Sequence, residues 1–192
     1  MTTATTEWPY PAPEDDGAAA HLVPGLEMPA VALGATGSGT IDLASVPGLC
    51  VVFVYPWTGR PGVENPPGWD AIPGAHGSTP ELQSARDLYP KFKASGASVF
   101  GLSGQDSSDQ REFVHRQAIP FEILSDADLG FARALSLPMF VAGPTTYLKR
   151  LTLVVQRGRL IKAFYPVHPP DLHPAMILAW LRSETTYSKP QK

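Results

Sequence analysis

Cysteine is almost absent from this chain of 192 residues, which contains one, Cys50. A single thiol excludes an internal disulfide and any metal site built from paired cysteines. Long apolar runs are also absent: the longest, Leu49 to Tyr55, has seven residues, whereas a membrane-spanning helix needs about 20. Basic residues are not in excess, since 15 Lys and Arg stand against 18 Asp and Glu. This balance disfavours nucleic acid as a partner.

The two ends of the chain are polar and show no hydrophobic periodicity. Residues 1–20 contain several prolines and the pair Asp15-Asp16, with no signal-peptide pattern. We therefore predict a mobile N-terminal arm over 1–20, one domain over 21–182 and a frayed tail over 183–192. A cytoplasmic location is the expectation that follows from the missing signal pattern.

Short apolar segments alternate with amphipathic ones along the predicted domain. Leu49 to Tyr55 is apolar throughout, which is typical of a central strand covered on both faces. Ala97 to Leu102 has the same character, and Gly158 marks a hairpin turn. The remaining predictions are strands over 31–33, 40–43, 148–156 and 159–165, and helices over 80–95, after a Ser107 or Ser108 cap, over 127–135 and over 171–182. This order predicts an α/β fold, a three-layer sandwich whose mixed central sheet has helices on both faces.

A long connection, residues 56–80, follows the predicted central strand. Such loops are uncommon in compact domains unless they are functional or disordered, and Trp57 and Trp69 argue against disorder. We therefore expect the loop to fold over the sheet edge and form a site or an interface. At its end a helix begins, with two alternatives for its cap. Either Ser78 is the cap with Glu81 as its capping-box partner, or Thr79 is the cap and is followed by proline.

Four segments, in order, resemble one protein family. They are VVFVYPWTGRPG from Val51, GSTPELQSARD from Gly77, ILSD from Ile123 and LKRLTLV from Leu148. Together they make the chain similar to the peroxiredoxins, in particular to the redoxin branch related to alkyl hydroperoxide reductase and bacterioferritin-comigratory protein. The similarity runs from about residue 21 to 181. It implies a thioredoxin-like fold, with which the predicted order of elements agrees, and a thiol-peroxidase type of oxidoreductase.

The resemblance also implies site residues. Ser78 stands where the family has its peroxidatic cysteine, Arg150 matches the arginine that faces thiolate and peroxide, and Thr58 is the candidate for the family threonine. The implied partners are a small peroxide or anion and a second copy of the chain; no cofactor, metal, nucleic acid or membrane is expected. If the site is inherited, Ser78 Oγ and the Arg150 guanidinium should lie within roughly 8 Å, about one Debye length in physiological salt.

Serine changes the chemistry expected at this position. Peroxide reduction needs a thiolate that becomes a sulfenic acid, and a hydroxyl has no equivalent. Cys50 is not expected to replace it, because it lies roughly 16 Å from the far end of its strand and apolar burial raises a thiol pKa. Two hypotheses remain. The protein is a weak or partner-dependent oxidoreductase, or it is a non-catalytic relative that binds a ligand or partner through Ser78, Arg150 and the loop carrying Trp57 and Trp69.

Two other clusters contain side chains of the types that act in catalysis or bind metals. His76 precedes Ser78 by two residues, and a histidine close to a serine suggests a hydrolase site. The Gly-x-Ser-x-Gly motif of many hydrolases is absent, however. His168, Asp171 and His173 match no standard metal-ligand spacing. The prolines among them favour a turn leading into the last helix.

Overall fold

The computed structural model describes residues 8–187. Its strands are β1 (Leu33–Ala35), β2 (Thr40–Ile41), β3 (Leu49–Val54), β4 (Ala97–Ser103), β5 (Ile123–Ser125), β6 (Met139–Ala142), β7 (Thr145–Leu148), β8 (Leu151–Gln156) and β9 (Arg159–Phe164). Its helices are α1 (Ser78–Ala94), α2 (Ser107–Gln117), α3 (Gly130–Ala134) and α4 (His173–Tyr187), with a short 3-10 helix at Trp69–Ala71. None of the helices in this part of the chain combines the length and apolarity needed to cross a bilayer.

Strand β3 lies inside a mixed sheet. Within the described residues the strand order is β2-β1-β5-β4-β3-β8-β9, and β6 and β7 form a separate hairpin. β3 runs parallel to β4 and antiparallel to β8. Its apolar sequence fits this place, because a strand with neighbours on both edges and layers on both faces exposes almost nothing to water. The predicted α/β fold, a thioredoxin-like sandwich, is confirmed.

Alternating side chains along β3 divide the core into two layers. Val51 and Phe53 pack in one layer with residues of α1, α2 and α4. Cys50 and Val52 point to the opposite layer, which contains residues of α3. Each fully buried large apolar side chain stabilises the fold by about 1.5–3 kcal/mol. β3 therefore holds both helical layers to the sheet, and its carboxyl end fixes where the following loop begins.

Several predicted elements are present with different ends. The central strand ends at Val54 rather than Tyr55, and α1 begins at Ser78 rather than at residue 80. The cap of α2 is Asp106, whose carboxylate accepts hydrogen bonds from the backbone N–H groups of Ser108 and Asp109, both at 2.9 Å. The predicted serine caps are wrong, because the earlier aspartate already satisfies these donors. The β6–β7 hairpin was not predicted, since its half-exposed strands show no clear apolar alternation.

The N-terminal segment contacts the domain from residue 8 onward. The Tyr10 ring stacks on His76 with centroids 3.5 Å apart. Asp16 accepts a hydrogen bond from Lys149 Nζ at 2.5 Å. From residue 8 onward this segment therefore packs on the domain, whereas the sequence predicts a mobile arm over 1–20. The first seven residues lie outside the described range. At the other end α4 continues to Tyr187, into the predicted tail, and the last five residues lie outside the described range.

Candidate functional site

Helix α1 begins where the long loop ends, with Gly77 as its N-cap. Gly77 has a φ of 110°, and a Cβ atom there would lie 2.2 Å from Pro170 Cγ, so the position requires glycine. No side chain forms a capping hydrogen bond at this end. The capping roles predicted for Ser78 and Thr79 are therefore wrong. Both residues lie in the first helical turn, because the chain already turns at Gly77.

Ser78, Glu81 and Arg150 form one buried group. Arg150 precedes β8 by one residue, and its Nη2 donates to Ser78 Oγ at 3.1 Å and to the His76 carbonyl at 3.2 Å. Its Nη1 donates to the carboxylate of Glu81, and the two side chains are 2% and 0% exposed. Glu81 is thus an ion-pair partner and not a capping-box residue. Ser78 and Arg150 lie well within the separation that an inherited site requires.

Burial controls the protonation of the groups around Arg150. It raises the pKa of Glu81 to about 7, while the charge and hydrogen bond of Arg150 oppose that rise. His173 Nε2 is hydrogen-bonded to Thr152 Oγ1 at 2.9 Å. Burial, and to a smaller extent the charge of Arg150, lowers the pKa of His173 to about 4. The site therefore places a neutral imidazole close to a buried ion pair.

Two buried polar atoms of this group have no hydrogen-bond partner among the described residues. They are Glu81 Oε1 and Arg150 Nε. An unpaired buried donor or acceptor costs about 1–3 kcal/mol, and more when it is charged. Each of these atoms therefore favours an additional partner. Burial also raises the pKa of Tyr55, while hydrogen bonding to the Ser103 and Thr58 side chains opposes that rise.

Thr58 is held by Gln105 rather than by the Ser78 group. The backbone N–H and the hydroxyl of Thr58 donate to Gln105 Oε1 at 2.8 Å and 3.0 Å. Gln105 Nε2 donates to the Thr58 carbonyl at 3.1 Å. Within residues 8–187 no hydrogen bond joins Thr58 to Ser78 or Arg150. The structure brings two of the three predicted site residues into contact and pairs the third with a residue that the sequence did not indicate.

Cys50 lies at the opposite end of β3 and on its other face. It pairs across the sheet with Val155, whereas Val54 pairs with Leu151, the residue after Arg150. Val54 lies four positions beyond Cys50 in the strand, a length of about 13 Å at the usual rise. The side chain is 1% exposed, and burial raises the pKa of its thiol to about 12. The prediction that Cys50 is buried is confirmed, and its position in β3 is at the end of the strand away from the long loop.

The long loop packs through its tryptophans onto the β6–β7 hairpin. The Trp69 ring lies 4.9 Å from the Tyr147 ring, 5.5 Å from Trp57 and 5.6 Å from Phe140, measured between centroids. Trp69 is 3% exposed. This aromatic cluster gives the loop a small core of its own, so that its prolines and glycines do not leave it unsupported.

A cavity of about 480 Å³ lies beside the start of α1. Its walls include the rings of Trp57 and Trp69, and Ser78 lines it at the helix end. Arg60 and Arg116 also line it, and none of the described residues in its walls is acidic. A concave cavity that combines aromatic walls with polar groups is typical of a small-molecule site.

The His76–Ser78 cluster does not form a hydrolase site, and the cluster of His168, Asp171 and His173 does not form a metal site. His76 Nε2 is hydrogen-bonded to Asp70 at 2.8 Å, but Ser78 Oγ is bonded to Arg150 and has no hydrogen bond to His76 among the described residues. A Ser-His-Asp arrangement is therefore not assembled. Across residues 8–187, no three His, Cys, Asp or Glu side chains are placed to hold a metal ion.

The sequence is similar to known proteins over most of its length. The profile of the Redoxin family matches residues 24–176. The chain is 27% identical to the chloroplastic peroxiredoxin Q of Suaeda salsa over 176 residues, which cover 91% of this chain and 74% of that protein. It is 33% identical over 89 residues to a putative chloroplastic peroxiredoxin Q of Oryza sativa subsp. indica, covering 46% of this chain and 40% of that protein. The chain thus spans well under half of the rice relative.

Solved structures share the fold. The bacterioferritin comigratory protein of Xanthomonas campestris superposes with a TM-score of 0.66 at 23% identity, covering 84% of this chain and 99% of that one. BcpB of Mycobacterium tuberculosis gives a TM-score of 0.68 at 23% identity, covering 85% and 98%. Reduced Prx3 of Vibrio vulnificus, in complex with hydrogen peroxide, gives 0.65 at 19% identity, covering 85% and 98%. Because the family profile matches most of the chain, the protein belongs to the Redoxin family and is a relative of the peroxiredoxins.

Proposed function

We propose that this Redoxin-family protein lacks conventional cysteine-based peroxidase activity and uses the start of α1 to bind a small anion. The observation that carries this proposal is Ser78, which contacts Arg150 at 3.1 Å where the family resemblance places the reacting thiol. In peroxide reduction a thiolate sulfur attacks one peroxide oxygen, the O–O bond breaks, and an alcohol or water leaves. The sulfur is left as a sulfenic acid. A serine oxygen cannot be oxidised in this way.

Cys50 does not supply the missing thiolate in this proposal. Burial raises its pKa to about 12, so the nucleophilic thiolate is scarce near neutral pH. Its side chain also lies in the layer opposite α1. A peroxide held near Arg150 is therefore out of its reach.

Peroxide consumption tests the catalytic half of the proposal. The full chain, Cys50→Ser and Ser78→Cys are each given hydrogen peroxide or cumene hydroperoxide with dithiothreitol as the electron donor. We expect the first two to consume peroxide at the rate of dithiothreitol alone. Turnover by the unmodified chain that disappears in Cys50→Ser would overturn the proposal and make Cys50 the peroxidatic residue.

The cavity beside α1 favours a small anion with an aromatic body. Among the described residues, the backbone N–H groups of Ser78 and Thr79 have no hydrogen-bond acceptor, and they lie at the positive end of the helix dipole. Arg60 and Arg116 add positive charge, although each also pairs with a carboxylate. Arg150 contacts Ser78 but is not among the residues that line this cavity. The aromatic walls offer stacking surface to a flat ligand.

Benzoate is a suitable probe for this cavity. In an amide NMR titration of the full chain we expect shifts at Ser78, Thr79 and Trp57, weakened in Arg116→Gln. Arg159→Gln is the matched control, since that side chain is 59% exposed at a distant strand. Shifts confined to other regions, or none, would contradict anion binding at α1.

The homodimer that the resemblance implies is also a proposal. Sedimentation equilibrium of the full chain should give about twice the chain mass of 20.6 kDa. A single-chain mass across the concentration range would contradict it.

A further inference from the structure

Residues 8–16, which we call the strap, lie across the end of the long loop. Asp16 fixes one end of the strap, because its carboxylate accepts hydrogen bonds from Lys149 Nζ at 2.5 Å and from Tyr165 OH at 2.7 Å. Beyond this point the chain enters the core, where Leu22 is buried. The strap is therefore tied to the domain at its C-terminal end by these bonds, which we call the Asp16 anchor.

The other end of the strap carries two aromatic rings that reach the start of α1. The Tyr10 ring stacks on His76, with centroids 3.5 Å apart and planes 8° from parallel. Trp8 lies against Gly77, since a Cβ atom added to that glycine would be 3.0 Å from Trp8 Cζ2. Both rings line the cavity beside α1, as Ser78 does. The strap thus forms part of the wall of the site to which the proposed function assigns a ligand.

Between its two ends the strap is held loosely. Among the described residues, one backbone hydrogen bond joins it to the rest of the chain, from the Gly74 N–H to the Pro11 carbonyl at 3.1 Å. A second cavity, of about 440 Å³, separates residues 12–16 from the domain. This space leaves the inner side of the strap without close-packed neighbours. The position of the strap therefore depends mainly on the contacts at its two ends.

Proline makes the strap stiff enough to connect those ends. Prolines alternate with other residues at positions 9, 11 and 13. Proline-rich segments are extended and semi-rigid, and they lose less conformational entropy when they dock than other segments do. A contact at Asp16 therefore helps to hold the rings of Trp8 and Tyr10 in place at the far end.

We propose that the strap is a movable wall of the anion site beside α1 and that the Asp16 anchor sets the affinity of this site from outside the cavity. This inference rests on the proposed function, because the ligand is the same small anion with an aromatic body. With the strap docked, Trp8 and Tyr10 contact the apolar body of the ligand. With the strap released, the ligand loses both rings and keeps the N–H groups of Ser78 and Thr79.

The charge of Asp16 makes the proposal distinguishable from simple electrostatics. Asp16 does not line the cavity beside α1. Removing its negative charge would on electrostatic grounds favour an anion slightly, whereas releasing the strap weakens the anion's binding. Asp15→Ala is the matched control, because it removes the same charge from the neighbouring position and leaves the bonds to Lys149 and Tyr165 in place.

Benzoate titrations followed by amide NMR test the wall. We expect the benzoate Kd to be about threefold to tenfold higher in Tyr10→Ala and in Asp16→Ala than in the unmodified chain, the effect of losing aromatic contacts. Tyr10→Phe keeps the ring and should bind more tightly than Tyr10→Ala. Asp15→Ala should bind as the unmodified chain does. Tyr10 is 36% exposed, and Asp15 and Asp16 are exposed, so the fold does not depend on these side chains.

Hydrogen exchange at the Gly74 amide tests the anchor without a ligand. This N–H is protected by the Pro11 carbonyl, so it should exchange faster in Asp16→Ala than in Asp15→Ala. Benzoate should slow the exchange in the unmodified chain, because a ligand that prefers the docked strap must also stabilise it. Unchanged exchange in Asp16→Ala would overturn the role of the anchor.

Failure of the strap and failure of the anion site give different results. Full benzoate affinity in both Tyr10→Ala and Asp16→Ala would overturn the movable wall and leave the proposed anion site intact. An absence of benzoate binding by the unmodified chain would overturn the anion site, and the wall with it. Equal weakening in Asp15→Ala and Asp16→Ala would show that the acidic charge acts and that the anchor does not.

Discussion

Ser78 and Arg150 are joined by a 3.1 Å hydrogen bond although 72 positions separate them in the sequence. The bond ties the first turn of α1 to the chain just before β8. It therefore puts a hydroxyl where both a guanidinium and a helix N-terminus would stabilise a negative charge.

Ser78→Cys should create an acidic thiol. The helix N-terminus and the adjacent guanidinium both favour the thiolate, so its pKa should fall below about 8.5, the value of an unperturbed cysteine. The pH dependence of alkylation by iodoacetamide measures it. Ser84→Cys, in the middle of the same helix, is the control and should keep an ordinary thiol pKa. A thiol pKa in Ser78→Cys equal to that of the control would mean that the scaffold no longer activates this position.

Removing one partner of the buried ion pair should destabilise the fold strongly. Glu81→Ala leaves the Arg150 charge buried without its carboxylate, and we expect a loss of about 3–5 kcal/mol in the free energy of unfolding. Urea denaturation measures this loss. Glu27→Ala is the matched control, because the Glu27–Arg159 pair is 72% and 59% exposed and exposed pairs contribute at most about 1 kcal/mol.

Replacing both partners of that pair should cost less than replacing one. In Glu81→Met with Arg150→Met no uncompensated charge remains, so the double variant should be more stable than Glu81→Ala. Urea denaturation of the two variants side by side provides the comparison. A double variant less stable than the single one would show that Arg150 stabilises the fold mainly through Ser78 and His76.

His173 should make the fold sensitive to acid. Its pKa is lowered from 6.5 to about 4 in the folded protein, so between these values the unfolded chain binds a proton that the folded chain does not. The free energy of unfolding should therefore fall as the pH falls through this window, by about 3 kcal/mol in total. Urea midpoints across the window should show a smaller fall in His173→Gln. His168→Gln, at an exposed position, is the control; parallel curves for His173→Gln and the unmodified chain would refute the assignment.

Trp69→Ala should detach the long loop from the β6–β7 hairpin. The ring contacts Trp57, Phe140 and Tyr147 and is 3% exposed, and truncating such a buried residue costs about 3–5 kcal/mol. Thermal unfolding and limited proteolysis of the loop report the loss. Val63→Ala, at a position 58% exposed in the same loop, should change neither measurement. Unaltered proteolysis of Trp69→Ala would show that the loop is held by other contacts.

The fold was largely predictable because its strongest signals are local. The apolar run of β3 and the Arg157-Gly158 turn between β8 and β9 are each indicated by a pattern of only a few residues. The α1 cap was not predictable in this way. The cap is Gly77, where a side chain would collide with Pro170. Pro170 lies far along the chain from Gly77.

The site was predictable only at the residues that match the motifs of the peroxiredoxin family. It indicated Ser78 and Arg150, but Glu81 was expected to cap a helix, and nothing in the sequence marked Gln105 or His173. Their roles arise because α1, the chain after β4 and α4 converge near the carboxyl end of β3. Contacts between elements that are distant in sequence leave no local pattern for a periodicity argument to detect.

The burial of Cys50 has a practical consequence for spectroscopy. Because its thiol is 1% exposed and its pKa is raised to about 12, maleimide and iodoacetamide reagents should leave the native chain unmodified. A cysteine introduced anywhere on the surface is then the unique attachment point for a fluorophore or spin label. Distances from the N-terminal segment to the long loop become measurable in the otherwise unaltered protein.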